Sequence, residues 1–162
     1  MTGIDISATE FLTHADGNIP SLAGVKFTHE DLDDYEAARK FAGGRYDILF
    51  GRDEILLSGL RLGATGAVGS TYNFAAPLYS RILRAMHAND LSSAGQAQAN
   101  SQAFIDVMAS FGGLPAGKTM MKLIGVDCGP VRLPLRSLNR GQEAALCGRL
   151  KNLGFFDYAS VA

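Results

Sequence analysis

The feature that most constrains this chain is an alternation that stops. Within the first seventy residues, three short apolar runs are separated by helical stretches, and after them only helical patterns follow. Leu22 to Phe27 comes just after the break at Pro20 and reads as a strand. Tyr46 to Phe50 has hydrophobic residues at both parities, as in a strand buried on both faces, and ends at Gly51. Ala67, Val68 and their glycine neighbours supply a third short strand ending at Ser70. Strand–helix–strand order implies right-handed crossovers and a parallel sheet, so the fold class is α/β.

The helices have recognisable ends. Ser7 followed by Glu10, Phe11 and Leu12 is a capping box. Thr28, with Asp31 three residues on, is expected to cap a second helix whose apolar positions are Leu32, Tyr35, Ala38 and Phe41. Gly43 and Gly44 stop it. Asp53 and Glu54 open a third helix that runs through Ile55–Leu62 and closes at Gly63. Further helices are expected over about 75–88, 90–111, 116–124 and 140–153 by their apolar spacing. The stretch CGPVRLP, Cys128 to Pro134, reads as an extended connection. With no internal repeat and no linker, the expectation is one structural unit, its βα part over 1–88 and a packed helical part over 89–162.

Composition excludes several classes. Fifteen basic against sixteen acidic residues leave no footprint for nucleic acid. No apolar run approaches the ~18 residues of a membrane span. The opening MTGIDISATE has neither the basic nor the apolar region of a secretory signal. Two cysteines, Cys128 and Cys147, make no disulfide framework, which points to a reducing, cytoplasmic setting. His14, His29 and His87 lack ligand spacing, so no metal is expected.

Two nucleotide-like motifs fail on context. GGLPAGKT, Gly112 to Thr119, satisfies G-x-x-x-x-G-K-[ST], but a phosphate loop needs a strand before it. The preceding Ala103–Phe111 has helical spacing instead. GATGAVG, Gly63 to Gly69, spaces its glycines like a dinucleotide loop, yet follows a helix and contains the strand.

Lys26 is the anomaly. It sits between Val25 and Phe27 in a run expected to be buried, where an ammonium is costly. The ordinary explanation is a packed stem with its head reaching water. The other strands change the balance, because each of the three ends in polar groups: Lys26 and Thr28, then Asp53 and Glu54, then Ser70 and Thr71. Ligand sites of parallel α/β folds lie at the carboxyl ends of strands. A desolvated lysine loses its proton more readily and becomes a nucleophile. Its amine can attack a ketone to form an imine, which draws electrons from an adjacent carbon–carbon bond; this is the chemistry of a class I aldolase.

LAGVKFTHEDL, FGRDE and GATGAVGSTYN, in that order and spacing, resemble the N-acetylneuraminate lyase (sialic acid aldolase) family, and GPVRLPL is similar to its vertebrate-type members. Dihydrodipicolinate synthase and several 2-keto-3-deoxy sugar acid aldolases belong to the same superfamily. The resemblance spans Ile6 to Phe156. It implies a (β/α)8 barrel with extra C-terminal helices, usually tetrameric, of which this chain corresponds to strands six to eight with their helices. It also implies that Lys26 forms the Schiff base with pyruvate, that Thr28, Gly51, Asp53, Glu54 and Ser70 contact the sugar, and that no cofactor is needed. Asp53 and Glu54 also suit a first helical turn, and Ser70 a helix cap.

A barrel takes about 250 residues. The family's Ser/Thr pair and its tyrosine segment have no counterpart here, so Tyr46, Tyr72 and Tyr79 receive no such role. On this resemblance Met1 is an internal methionine, or the gene is split or truncated. The expected partners are a small-molecule substrate (sialic acid, pyruvate) and either further copies or the missing N-terminal half, with no nucleic acid and no membrane. The rivals are a sister aldolase for another 2-keto acid, a non-catalytic remnant, and a nucleotide-binding protein using Gly112–Thr119.

Overall fold

The structure, a computed structural model, describes residues 6–160. Met1–Asp5, part of the stretch in which no secretory leader was expected, lie outside the described residues. By internal contacts the chain divides into two compact units, one through Val68 and one from Gly69.

In the first unit the elements are α1 (Ala8–Ala15), β1 (Gly24–Phe27), α2 (Leu32–Lys40), β2 (Asp47–Phe50) and α3 (Leu56–Arg61). β1 and β2 pair in parallel, with Lys26 opposite Leu49 and Phe27 opposite Phe50. The expected third strand is reduced to a single parallel bridge, Phe50 to Ala67, held by Phe50 N–H to the Gly66 carbonyl and Val68 N–H to the Phe50 carbonyl. The glycine content of residues 63–69 explains the shortening: glycine pays the largest ordering cost and brings no side chain to pack. Gly66 is needed there, since a Cβ would lie 2.9 Å from a Leu49 methyl carbon.

The sheet has one covered face. Phe27, Ile48 and Phe50 are buried against α2, whose Tyr35 ring packs 5.2 Å from Phe27 and 4.9 Å from Phe50. Burial pushes the Tyr35 phenol above its usual pKa; the hydroxyl donates to the Ile48 carbonyl. On the opposite face stand Gly24, Lys26, Asp47 and Leu49, none of them buried. The expectation that β2 is buried on both faces is therefore corrected. Its second face has no layer over it among the described residues.

Asp34 joins α1 to α2 by accepting from the amides of Ala8 and Thr9 and from the Thr9 hydroxyl. Partial burial raises the pKa of its carboxyl, but these hydrogen bonds outweigh that and hold it below the usual value. Ser7 caps α1 by accepting from the Glu10 amide, as the sequence indicates. The second helix differs from expectation: Asp31, not Thr28, is its N-cap, accepting from the amides of Asp33 and Asp34. The Asp31 carboxylate, at the last extended residue, satisfies two orphan donors.

The second unit contains α4 (Tyr72–His87), α5 (Leu91–Ser110), α6 (Leu114–Leu123) and α7 (Arg140–Asn152), with a final 3₁₀ turn at Phe155–Asp157. Its core is an aromatic cluster around Phe104, whose ring lies near those of Phe74, Tyr79, Phe155 and Tyr158. Pro77 interrupts α4, and Ala75 there leaves helical geometry. Ser160 compensates: its amide donates to the Phe74 carbonyl and its hydroxyl accepts from the Ala76 amide. Thr71, Tyr79 and Ser101 join their hydroxyls in a buried chain, at 2.6 and 2.8 Å.

The GGLPAGKT segment is not a phosphate loop. Helix α5, not a strand, leads into it. The Lys118 ammonium donates to the carbonyls of Cys128 (2.8 Å) and Pro130 (3.0 Å), holding the extended connection, and the Thr119 hydroxyl donates to the Pro115 carbonyl. Both side chains a nucleotide would require are already bonded to backbone.

Candidate active site at the strand ends

The carboxyl ends of β1 and β2 lie side by side because the strands are parallel and in register. This brings three of the expected residues into one cluster. The Gly51 amide donates to the Phe27 carbonyl at 2.7 Å, carrying the pairing one residue past β2. A Cβ at Gly51 would overlap the Thr28 hydroxyl oxygen and lie 2.9 Å from Lys26 Cε. Lys26 and Thr28 thus both crowd Gly51, and with the Phe27 carbonyl oxygen also 2.9 Å from that Cβ only glycine fits there. Gly51→Ala is expected to cost about 1–3 kcal/mol of stability by overpacking, read from denaturant midpoints. The same displaced lysine should react about ten- to a hundredfold more slowly with a small ketone; an unchanged midpoint and rate would disprove the contact.

Lys26 itself is exposed. The shelter expected for its ammonium is absent, for the reason given by the sheet: alternation turns Lys26 away from the helix-covered face and onto the open one. A cleft of about 370 Å³ adjoins it at β1, lined in part by Ser7, Phe11, Lys26, Thr28 and Asp34.

Asp53 and Glu54 occupy the 3₁₀ turn Asp53–Ile55 that leads from β2 into α3. Asp53 is buried and Glu54 half-buried. Ser70 is exposed and belongs to the second unit, where its carbonyl accepts from the amide and side chain of Asn73. It is not the cap of α4, a position taken by Thr71.

Sequence reasoning passed over Arg52 and Glu30. The Arg52 guanidinium pairs through Nη2 with Glu30, from the turn after β1, and its Nε lies 3.6 Å from Glu54 Oε2. The signal was present in FGRDE and THEDL: a lone arginine at one strand end and an acidic residue at the neighbouring one.

A parallel sheet whose helices cover one face only, and whose strand ends carry a lysine, a hydroxyl and carboxylates, defines a portion of a (β/α)8 barrel with its C-terminal helices. Comparisons with known proteins agree. The chain matches the dihydrodipicolinate synthetase family over residues 1–153, and it belongs to that family. It is 40% identical to N-acetylneuraminate lyase of Mus musculus and 37% identical to that of Homo sapiens, in each case over 99% of this chain and 51% of the relative. Among solved structures, it is similar to Proteus mirabilis N-acetylneuraminate lyase with a TM-score of 0.90 and 39% identity, covering 94% of this chain and 52% of that one. The chain therefore spans about half the length of the relatives it matches. These homologues are carbon–carbon lyases, and the chain is lyase-like in sequence and fold.

Proposed function

We propose that this chain carries the lysine-bearing portion of a class I aldolase that cleaves N-acetylneuraminate reversibly to pyruvate and N-acetylmannosamine. The observation that carries the reading is that Lys26 and Thr28 both close on Gly51 at the ends of two parallel strands. In this scheme the Lys26 amine adds to the ketone carbon and water leaves, giving an iminium. The iminium takes up the electron pair of the bond between the α and β carbons as the β-hydroxyl gives up its proton, so that the aldehyde sugar departs and an enamine is left; a proton then returns to the enamine carbon and regenerates the iminium. Hydrolysis then releases pyruvate and restores the amine. The lysine is its own electron sink, so the scheme calls for no metal and no organic cofactor.

Thr28, Asp53, Glu54 and Ser70 are assigned to the sugar. Carboxylates accept from several hydroxyls, and a site built to pair polar groups rejects analogues that leave them unpaired. The exposed Lys26 and the uncovered sheet face support one further element: turnover requires the remaining strands of a barrel. The setting proposed for this scheme is a cytoplasmic homo-oligomer; separately, no helix among the described residues is long and apolar enough to cross a membrane.

The test is borohydride reduction of the chain with pyruvate, followed by peptide mapping and a panel of 2-keto sugar acids assayed for pyruvate release. We expect a reduced pyruvyl adduct on Lys26 and, once the barrel is completed, preference for N-acetylneuraminate. No adduct at Lys26 would assign the chain to a non-catalytic remnant, and preference for a different 2-keto acid would assign it to a sister aldolase.

A further inference from the structure

We infer that Arg52 is a positioning residue that ties the two strand-end turns together and orients Glu54 for the sugar; this rests on the reading of Glu54 as a sugar contact. Three observations carry it. First, Arg52 lies between Gly51, which is packed on Lys26 and Thr28, and Asp53, so its backbone is fixed at the centre of the cluster. Second, its Nη2 pairs with Glu30 across from the turn after β1. Third, its buried Nε makes no hydrogen bond and faces Glu54 Oε2 at 3.6 Å.

The guanidinium is thus directed at two carboxylates from two different turns. A planar guanidinium can do this because its donors project from a rigid fork, whereas a lysine ammonium is a point charge on a flexible stem. Glu54 gains order from this pairing. A free glutamate samples many rotamers, and ordering it at the moment of binding costs affinity. Held by Arg52, it can present a carboxylate oxygen to hydroxyl donors without that cost. Glu30 anchors the other end, so that motion of the turn bearing Thr28 and motion of the turn bearing Glu54 are coupled. With Nη2 on Glu30 and Nε beside Glu54, Arg52 acts through another side chain.

The test uses the chain in solution with pyruvate present and N-acetylmannosamine as the probe, followed by amide chemical shifts of residues 51–54. Arg52→Gln is expected to weaken sugar binding about fivefold, the effect of losing a half-exposed ion pair. Glu30→Gln should reproduce part of the loss, and Arg52→Lys should recover only part of the affinity. Borohydride trapping at Lys26 should proceed in all three, and that split separates positioning from damage to the fold. Sugar binding unchanged in Arg52→Gln overturns the inference. So does a joint loss of sugar binding, trapping and melting temperature in both Arg52 variants, which marks Arg52 as merely structural. Failure of the unsubstituted chain to bind the sugar while still trapping pyruvate overturns instead the sugar-contact reading of Glu54, and this inference with it.

Discussion

Lys26→Arg is expected to abolish the pyruvate adduct that borohydride fixes at position 26 while leaving the fold intact. Arginine keeps the positive charge and a long stem, but its guanidinium stays protonated and does not form imines. The chain has five lysines, so the readout is specific only if the others are accounted for. Lys40 is bonded to Glu36, Lys118 to two backbone carbonyls, Lys122 pairs with Glu143, and Lys151 is exposed in the last turn of α7, away from any strand end. Lys26 is the lysine that lies in a strand, its Cε 2.9 Å from where a Cβ on Gly51 would stand. Its adduct should saturate with pyruvate concentration, in contrast to slow, linear labelling elsewhere. Equal labelling of Lys40 and Lys26 by peptide mapping would remove the basis for the proposed reaction.

The largest loss of stability is expected from Phe104→Ala, at about 3–5 kcal/mol. Phe104 is fully buried, and its ring lies 5.4 Å from Phe155, 6.1 Å from Phe74, 6.5 Å from Tyr79 and 6.4 Å from Tyr158. Four rings from α4 and from the C-terminal turn therefore lose a common partner, and the backbone of α5 holds the cavity open. Denaturant unfolding followed by aromatic circular dichroism measures the change. A loss below about 1 kcal/mol would mean that the neighbouring rings collapse into the space. The same substitution separates the two units: its effect should be carried by residues from Gly69 onward, which amide exchange can localise.

Much of this was legible in local chemistry. The Ser7 cap, the stop at Gly43–Gly44 and the four late helices follow from periodicity and from residues with strong end preferences, and these act within one turn of backbone. The rejection of GGLPAGKT as a phosphate loop followed from the helical spacing of Ala103–Phe111. Other features were not legible, because they depend on which group reaches a place first. Thr28 and Asp31 both suit a helix cap, and only the path of the turn decided for Asp31 and left Thr28 at Gly51. The Arg52–Glu30 pair joins residues 22 apart, a separation at which local periodicity does not assign partners.

Residue order alone determined the alternating strands and helices, their parallel sense and the placing of a lysine, a threonine and two acids at strand ends, since each depends on short-range sterics and on the handedness of crossovers. Tertiary structure alone decided which face of the sheet is covered, and hence that Lys26 stands exposed on the open one. Exposure is a property of what packs against a surface: Val25, Phe27, Ile48 and Phe50 make one parity the more apolar, but it is the packing of Tyr35 and α2 on that parity that leaves Lys26 on the open one.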